Sequence, residues 1–300
     1  MSQDWKGRLA GVIGGPVSPF RADLSLDLAA LERNVAELAG FNFSGMLIAA
    51  GIGEFYSLTP TEVVESARIA AGVIGGRMPV IGTVGLNAGI ATETARNLEE
   101  AGADALLVMP PAYVSPPEEG LLAYYTSIGN ATGLPLIVYS RDWCVFTPDA
   151  VARLADRIPK LIAWKDGQGD IRRYQRIIGR IGDRLVWLGG AGDDCASGYW
   201  AIGVAGYSSS LSNVVPKLAM KVADAWRRSD IAELNHLTIQ YVHPVFRLRE
   251  RLRGYDVAVT KAAMEMFGLP AGPVRAPLTG LRPPDVEELH SLRTRLAEMR

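Results

Sequence analysis

The stretch LPLIVYSRDWCVFTPDAVARLADRIPKLIAWKDGQGDIRRYQRIIGRI, residues 134–181, contains the pattern that decides the fold. Two short apolar runs, 134–139 and 161–165, are each followed by a segment with helical periodicity, 148–155 and 170–181. The apolar runs do not alternate with polar residues, which is typical of strands buried on both faces of a parallel sheet. The stretch therefore predicts two consecutive strand–helix units of an α/β protein.

The same strand–helix unit occurs along the first 228 residues. Strands are predicted at 11–17, 45–50, 79–84, 105–109, 134–139, 161–165, 185–188 and 204–208. Helices are predicted near 27–38, 60–73, 88–101, 117–131, 148–155, 170–181, 194–202 and 216–228. Eight strands, each followed by a helix, are the count of a (β/α)8 TIM barrel. We therefore predict that residues 1–228 form such a barrel and carry the catalytic site.

The pattern changes after residue 228, where no further strand is predicted. Helices near 230–253, 257–266 and 284–299 predict a C-terminal three-helix extension over residues 229–300. We expect these helices to pad the barrel or to build an oligomer interface. Leu248 and Leu252 have i,i+4 spacing within the arginine-rich run 247–253, which predicts a helix with a solvated arginine face rather than a nucleic-acid site.

Composition and charge argue against several function classes. The 300 residues include 31 basic and 32 acidic side chains and give a net charge of −1, so neither a nucleic acid nor an anionic membrane is the expected partner. No apolar stretch approaches the roughly 20 residues of a membrane helix, and the first residues do not resemble a secretory signal. The two cysteines cannot form a disulfide framework. We therefore expect a cytoplasmic protein.

The rare residue types argue against further classes of chemistry. The three histidines, His236, His243 and His290, all lie in the last quarter of the chain, away from every predicted strand end. This distribution disfavours a His-rich metal site and His-dependent nucleophilic catalysis. The sequence contains neither a P-loop nor a complete GxGxxG motif. We therefore expect no metal and no cofactor. A metal-dependent barrel aldolase is disfavoured, and loss of activity on chelation would revive it.

Catalytic groups in such barrels lie at the carboxyl ends of the strands, and this rule selects Lys165. The residue ends the apolar run Leu161-Ile162-Ala163-Trp164 in a chain with only six lysines. Burial disfavours the ammonium form and lowers the pKa of such an amine, and a neutral amine can form a Schiff base with a ketone. The alternative is a structural lysine that pairs with Asp166 or Glu54, and Glu54 is itself expected to be structural.

Other strand ends supply candidates for the groups around Lys165. Tyr139 ends the preceding strand, so its phenol could exchange protons with a substrate or be a packed aromatic residue. The Gly51-Ile52-Gly53 turn offers backbone N–H groups to a carboxylate or is only a tight turn. Arg141 could bind a carboxylate through two nitrogens or lie on the surface. The remaining strand ends add Ser18, Gly189, Ser208 and Ser209 to the expected substrate-binding residues.

These motifs resemble the N-acetylneuraminate lyase / dihydrodipicolinate synthase superfamily. The resemblance rests on Pro16-Val17-Ser18-Pro19-Phe20, on Gly51-Ile52-Gly53-Glu54-Phe55 and on the spacing of Tyr139 and Lys165, and it covers the whole chain. Members of that superfamily are Schiff-base barrels, commonly tetrameric, that act on pyruvate or other 2-oxo acids. The resemblance implies that Lys165 forms the imine, that Tyr139 handles protons, and that Tyr113 reaches a neighbouring subunit.

Within the superfamily, the chain is most similar to 5-dehydro-4-deoxyglucarate dehydratases. The markers are Gly53-Glu54-Phe55, Lys165-Asp166-Gly167-Gln168-Gly169-Asp170-Ile171 and Tyr207-Ser208-Ser209. The implied reaction is dehydration with decarboxylation of a deoxy-oxo-hexarate, which yields 2,5-dioxopentanoate. A lysine imine suits both steps, because it stabilises the carbanion character that elimination and loss of CO2 require.

Three departures from the family pattern keep other functions open. Gly51 stands where dihydrodipicolinate synthases carry a hydroxyl residue of a proton relay, which disfavours that activity. Ile52 replaces a threonine that is usual in the dehydratases. The loop Asp142-Trp143-Cys144-Val145-Phe146 lacks an arginine that many relatives use for a substrate carboxylate, so Arg141 is the candidate substitute. The rivals are another 2-oxo acid aldolase, similar to dihydrodipicolinate synthase, and a non-catalytic 2-oxo acid-binding relative.

The sequence as a whole therefore predicts a Schiff-base lyase whose partner is a small-molecule 2-oxo acid. We expect the protein to be a homo-oligomer, either a dimer or a tetramer.

Overall fold

The computed structural model describes residues 4–112 and 115–300, and its centre is a closed barrel of eight parallel strands. The strands pair in chain order, and β8 pairs with β1 to close the ring. Their bounds are Gly11–Gly14 (β1), Gly45–Ile48 (β2), Val80–Leu86 (β3), Ala105–Pro111 (β4), Leu136–Ser140 (β5), Leu161–Asp166 (β6), Val186–Gly189 (β7) and Gly206–Ser208 (β8). The predicted (β/α)8 TIM barrel is confirmed.

Helices α2 to α9 follow the eight strands in turn, α1 precedes the barrel, and α10 to α14 form the C-terminal extension. Their bounds are Trp5–Arg8 (α1), Leu28–Leu38 (α2), Pro60–Ile74 (α3), Ala88–Glu100 (α4), Glu118–Ala131 (α5), Pro148–Arg157 (α6), Ile171–Ile181 (α7), Ala196–Ala201 (α8), Pro216–Arg227 (α9), Ile231–Leu237 (α10), His243–Arg249 (α11), Tyr255–Met266 (α12), Pro283–Ser291 (α13) and Arg293–Ala297 (α14). None of the helices in the described ranges is long and apolar enough to cross a membrane.

Two apolar clusters bury the two faces of the strands. The inner cluster fills the barrel with side chains such as Ile13, Leu47, Ile81, Leu107 and Ile137, and it also includes one residue of α1 and the residue that caps this helix, Trp5 and Leu9. The larger cluster lies between the outer faces of the strands and the surrounding helices. Burial on both faces is the physical reason why the apolar runs of the sequence show no polar alternation.

The helices and strands differ from the predicted ones mainly at their ends. β1 ends at Gly14 rather than at residue 17, because Pro16 has no N–H for the strand ladder. The predicted helix 230–253 is divided by a π-helical turn over Thr238–Val242, which comes just before Pro244. The predicted helix 284–299 is divided at Leu292. The helix α1 is too short to produce a periodic signal and was not predicted.

The extension contacts the loops at the carboxyl end of the barrel. Lys261 of α12 forms an ion pair of 2.6 Å with Glu54, which follows β2. The backbone N–H of Arg275 donates to the second Glu54 oxygen at 3.1 Å. The cationic groups of Lys261 and Arg275 lie 4.3 and 4.1 Å from the centre of the Phe20 ring. The extension is therefore joined to the barrel through buried charge, while the predicted domain boundary at residue 228 stays a prediction.

Candidate active site

An open cavity of about 1130 Å³ lies at the carboxyl ends of the strands. Its lining includes strand ends, with Lys165 from β6 and Tyr139 from β5 among them. It also includes residues of the extension, such as Phe246, Arg249 and Asp256. The extension was predicted to pad the barrel or to build an oligomer interface. In the structure, its residues form part of the cavity wall.

Lys165 is a buried amine beside a phenol ring. It pairs in register with Tyr139 across β5 and β6, and its Nζ lies 3.8 Å from the centre of that ring. Lys165 is buried, with only 5% of its surface exposed. Burial, with a smaller contribution from the nearby positive charge of Arg141, lowers the pKa of Lys165 below its ordinary value. This environment favours the neutral amine, which is the nucleophilic form.

The two carboxylates that were considered as partners of Lys165 are engaged elsewhere. Glu54 is fully buried and pairs with Lys261, so its predicted structural role is what the geometry supports. Asp166 accepts hydrogen bonds from the Tyr199 hydroxyl at 2.9 Å and from the Gly169 N–H at 3.0 Å. Within the described ranges, no carboxylate lies within ion-pair distance of Lys165, so the geometry does not support the structural-lysine alternative.

Two glycines leave the space that Lys165 and Tyr139 occupy. A Cβ at Gly190 would lie 2.6 Å from Cε of Lys165, and a Cβ at Gly167 would lie 2.6 Å from Cε2 of Tyr139. Neither distance is compatible with a side chain at the glycine unless Lys165 or Tyr139 moves. Sequence reasoning did not assign these two residues a role, although each lies two residues after a predicted strand end and directly after the observed one.

Tyr139 is held by two hydrogen bonds next to the amine. Its hydroxyl donates to the Gly190 carbonyl at 2.8 Å and accepts from Nη1 of Arg141 at 3.1 Å. Burial opposes ionisation of the phenol, but the positive charges of Lys165 and Arg141 outweigh burial and hold the pKa of Tyr139 below its ordinary value. A phenol in this environment can give and take a proton.

Other predicted contacts line the cavity near Lys165. Gly51, Ile52, Ser208 and Ser209 are among the lining residues. In the described ranges, no protein acceptor receives a hydrogen bond from the N–H of Gly51 or Ile52, so both groups are available to a carboxylate. Ser209 is different, because its hydroxyl donates to the buried carboxylate of Asp193, which fixes the loop after β8.

Three predicted contacts lie behind the cavity wall, and one is outside the described residues. The Ser18 hydroxyl donates to the Gly53 carbonyl at 2.6 Å, so Ser18 and Gly53 support the loop after β2 rather than facing the cavity. Gly189 faces the Tyr199 ring, where a Cβ would lie 2.3 Å from the nearest ring carbon. Tyr113 lies outside the described residues, and its predicted role at a neighbouring subunit stays a prediction.

The arginine-rich run contains a cavity residue that sequence reasoning missed. Arg247 is exposed, as predicted for a solvated face, but Arg249 lines the cavity and donates to the Ser210 hydroxyl at 2.7 Å. The prediction of a solvated arginine face therefore fails for Arg249. The predicted helix also ends early, because α11 ends at Arg249 and the exposed Leu252 lies in the turn that follows. The i,i+4 spacing of Leu248 and Leu252 therefore indicated neither the end of the helix nor the direction in which each arginine points.

Within the described ranges, no group of three or more His, Cys, Asp or Glu side chains is arranged to hold a metal ion.

Comparison with known sequences places residues 8–296 in one family. The Dihydrodipicolinate synthetase family matches residues 8–296. A probable 5-dehydro-4-deoxyglucarate dehydratase from Saccharopolyspora erythraea is 43% identical over 277 residues, which cover 91% of this chain and 90% of the relative. A protein of the same name from Bradyrhizobium diazoefficiens is 39% identical over 293 residues, covering 97% and 93%.

Comparison with solved structures gives the same fold. Dihydrodipicolinate synthase from Bacillus clausii superposes with a TM-score of 0.91 at 27% identity, covering 97% of this chain and 99% of that one. Dihydrodipicolinate synthase from Oceanobacillus iheyensis gives a TM-score of 0.91 at 26% identity, covering 98% and 99%.

Proposed function

The chain belongs to the dihydrodipicolinate synthetase family, and from this premise we propose that it is a lysine Schiff-base lyase that converts 5-dehydro-4-deoxyglucarate to 2,5-dioxopentanoate, CO2 and water. The family membership and the dehydratase relatives make the chain a lyase. The observation that carries the proposed mechanism is the buried Lys165 amine, which has no carboxylate partner in the described ranges and lies 3.8 Å from the centre of the Tyr139 ring.

The proposed reaction begins with attack of the Lys165 amine on the substrate ketone. Loss of water gives a protonated imine, which acidifies the adjacent CH2 group. Removal of a proton there, with departure of the hydroxyl from the next carbon, gives a conjugated imine. This imine accepts the electron pair that is released when the remote carboxylate leaves as CO2. Reprotonation on carbon, tautomerisation of the remaining enol to the aldehyde and hydrolysis of the imine then free the product and Lys165. The proton transfers near the imine are assigned to Tyr139, which is hydrogen-bonded in place.

The 2-oxo acid end of the substrate needs a site for its own carboxylate beside Lys165. We assign this carboxylate to the N–H groups of Gly51 and Ile52, which have no protein acceptor in the described ranges, and to the Ser208 hydroxyl at the end of β8, two strands away from β2 in the barrel. Backbone N–H groups that converge on one point bind anions well. Side-chain size at residue 52 matters little for this contact, because the donor is the backbone.

Gly51 favours a dehydratase over a dihydrodipicolinate synthase. The residue lines the cavity, and a Cβ there would have no atom within 4 Å. A hydroxyl side chain would therefore fit, but this chain has none at that position. The proton relay of the synthases, which uses a hydroxyl there, is consequently incomplete, whereas elimination from an imine needs no such relay.

The proposed function is tested by incubating the protein with 5-dehydro-4-deoxyglucarate and identifying the products by mass spectrometry and by CO2 release. We expect equal amounts of 2,5-dioxopentanoate and CO2, and a borohydride-stable adduct on the peptide that contains Lys165. An adduct with pyruvate but no turnover of the hexarate would favour the aldolase alternative. Binding of 2-oxo acids without any product would favour the non-catalytic alternative.

Replacing Arg141 with glutamine is expected to move the acid limb of the pH profile for imine formation to higher pH. The Arg141 charge lowers the pKa of Lys165, so its removal raises that pKa, and a larger share of the amine is protonated and inactive at each pH below it. The rate of borohydride trapping with pyruvate should fall several-fold on the acid side. Arg247→Gln, at an exposed position, is the control. An unmoved profile, or one moved to lower pH, would contradict the assignment.

A further inference from the structure

The guanidinium group of Arg249 takes no part in the proposed imine chemistry, although it lines the same cavity as Lys165. Arg249 is the last residue of α11, in the C-terminal extension. Its Nη1 donates to the Ser210 hydroxyl at 2.7 Å, and its central carbon lies 4.4 Å from the centre of the Phe246 ring. One nitrogen and the ring face thus fix the group, while its other N–H groups have no acceptor among residues 4–112 and 115–300.

In the part of the chain that the structure describes, no close ion pair neutralises the charge of Arg249. Asp193, Asp194 and Asp256 are close enough to attract it, yet within the described ranges no carboxylate lies within 4.0 Å of its nitrogens. Arg251, two residues further along the chain, does have a counter-ion and forms an ion pair of 2.6 Å with Asp285. Arg249 is therefore a half-buried cation that is held in place without a direct counter-ion.

Arg141 adds a second positive charge to the same cavity. The two guanidinium groups repel each other, and burial together with this repulsion lowers the pKa of Arg249. An anion between them would remove the repulsion and would find two planar donor groups, which match a carboxylate. Asp194 and Asp256 line the cavity as well, and their carboxylates can accept hydrogen bonds from the hydroxyls of a sugar acid.

We propose that Arg249, together with Arg141, binds the substrate carboxylate that is remote from the carbon attached to Lys165. The site then selects 2-oxo dicarboxylates with hydroxyl groups between their ends. This inference rests on the proposed function, since it places the 2-oxo end at Lys165. An ion pair stabilises a carboxylate but not the CO2 that leaves, so Arg249 should contribute to KM rather than to kcat.

The test compares two acids of equal chain length, 2-oxoadipate and 2-oxohexanoate, which differ in the remote carboxylate. The readout is the concentration that gives half-maximal borohydride trapping at Lys165. In the Arg249→Met variant this concentration should rise roughly 30-fold for 2-oxoadipate, the size of a lost hydrogen-bonded charge contact, and stay within about twofold for 2-oxohexanoate. Arg249→Lys should give an intermediate loss, because the ammonium keeps the charge without the planar donor pair. Arg247→Met, on the exposed face of the same helix, should behave as wild type.

Equal losses for the two acids would overturn the proposal and give Arg249 a structural role, and so would no loss for either acid. If wild-type protein forms no adduct with either acid, the imine mechanism of the proposed function fails. In that case the same two acids and variants are compared by calorimetric titration. A loss of 2-oxoadipate binding in Arg249→Met, with 2-oxohexanoate binding unchanged, would still support the carboxylate site. Equal changes for the two acids, or no change for either, would reject it.

Discussion

Replacing Lys165 with methionine is expected to lower kcat/KM by at least about 10⁴-fold while it leaves the protein folded and slightly more stable. The chemical effect follows because no other amine lines the cavity in the described ranges, and loss of a covalent nucleophile removes the whole imine route. Methionine has a similar length and fills the space beside Gly190 and the Tyr139 ring without a charge.

The stability effect of Lys165→Met has a definite sign. The pKa of Lys165 is lower in the folded chain than in the unfolded one, so between these values the unfolded chain binds more protons and stability rises with pH. Below the pKa that Lys165 has in the folded chain, the residue lowers the free energy of unfolding by its full amount. Above the pKa that it has in the unfolded chain, this destabilisation is absent. Methionine removes the cost, and we expect a gain of about 1 kcal/mol near neutral pH, as is common when a residue needed for activity is replaced.

Three measurements check this prediction: steady-state turnover, borohydride trapping followed by peptide mass spectrometry, and urea unfolding at several pH values. Lys217→Met, at an exposed position, is the matched control and should leave all three unchanged. Turnover within about 100-fold of wild type, or an adduct on a different lysine, would show that Lys165 is not the nucleophile. A stability that falls in Lys165→Met would show that its contact with the Tyr139 ring outweighs the cost of burial.

The sequence was sufficient to predict the pairing of Lys165 with Tyr139 because parallel strands impose it. Residues at the carboxyl ends of neighbouring strands lie side by side at one edge of the barrel, and Tyr139 and Lys165 are in register there. The same rule gives a location but not a direction. Successive side chains of a strand point to opposite faces. The sequence therefore placed Gly189 at the carboxyl edge of the barrel but did not indicate that it faces Tyr199.

The position of Arg249 could not be predicted, because it depends on tertiary packing. The π-helical turn over Thr238–Val242 adds a residue to one turn and changes the phase of every later side chain. Helical periodicity in the run 247–253 therefore does not indicate which arginine faces the barrel. The interface that positions α11 and α12 also uses charges that are far apart in sequence, Glu54 and Lys261.

Replacing Lys261 with methionine is expected to lower the free energy of unfolding by about 3–5 kcal/mol, because it leaves the Glu54 carboxylate buried and unpaired. Lys261 and Glu54 are 2% and 0% exposed, and the Lys261 amine also donates to the Pro273 carbonyl at 2.7 Å. Glu54 has a φ of 56°, a left-handed conformation that costs energy for a side chain with a Cβ. The pair therefore holds a strained loop and the extension together.

The double variant Glu54→Gln/Lys261→Met separates the value of the ion pair from the cost of an orphaned charge. Replacing both charges removes the orphan, so most of the lost stability should return, and urea unfolding of the single and double variants gives the coupling energy directly. Lys217→Met again serves as the control. Lys261→Met within 1 kcal/mol of wild type would mean that apolar packing alone holds the extension. Glu54 directly follows Gly51, Ile52 and Gly53, so loss of the ion pair should also disturb the loop that binds the 2-oxo acid carboxylate. In folded Lys261→Met we therefore expect a higher pyruvate concentration for half-maximal borohydride trapping. The double variant should reverse this change only if the loop recovers its position.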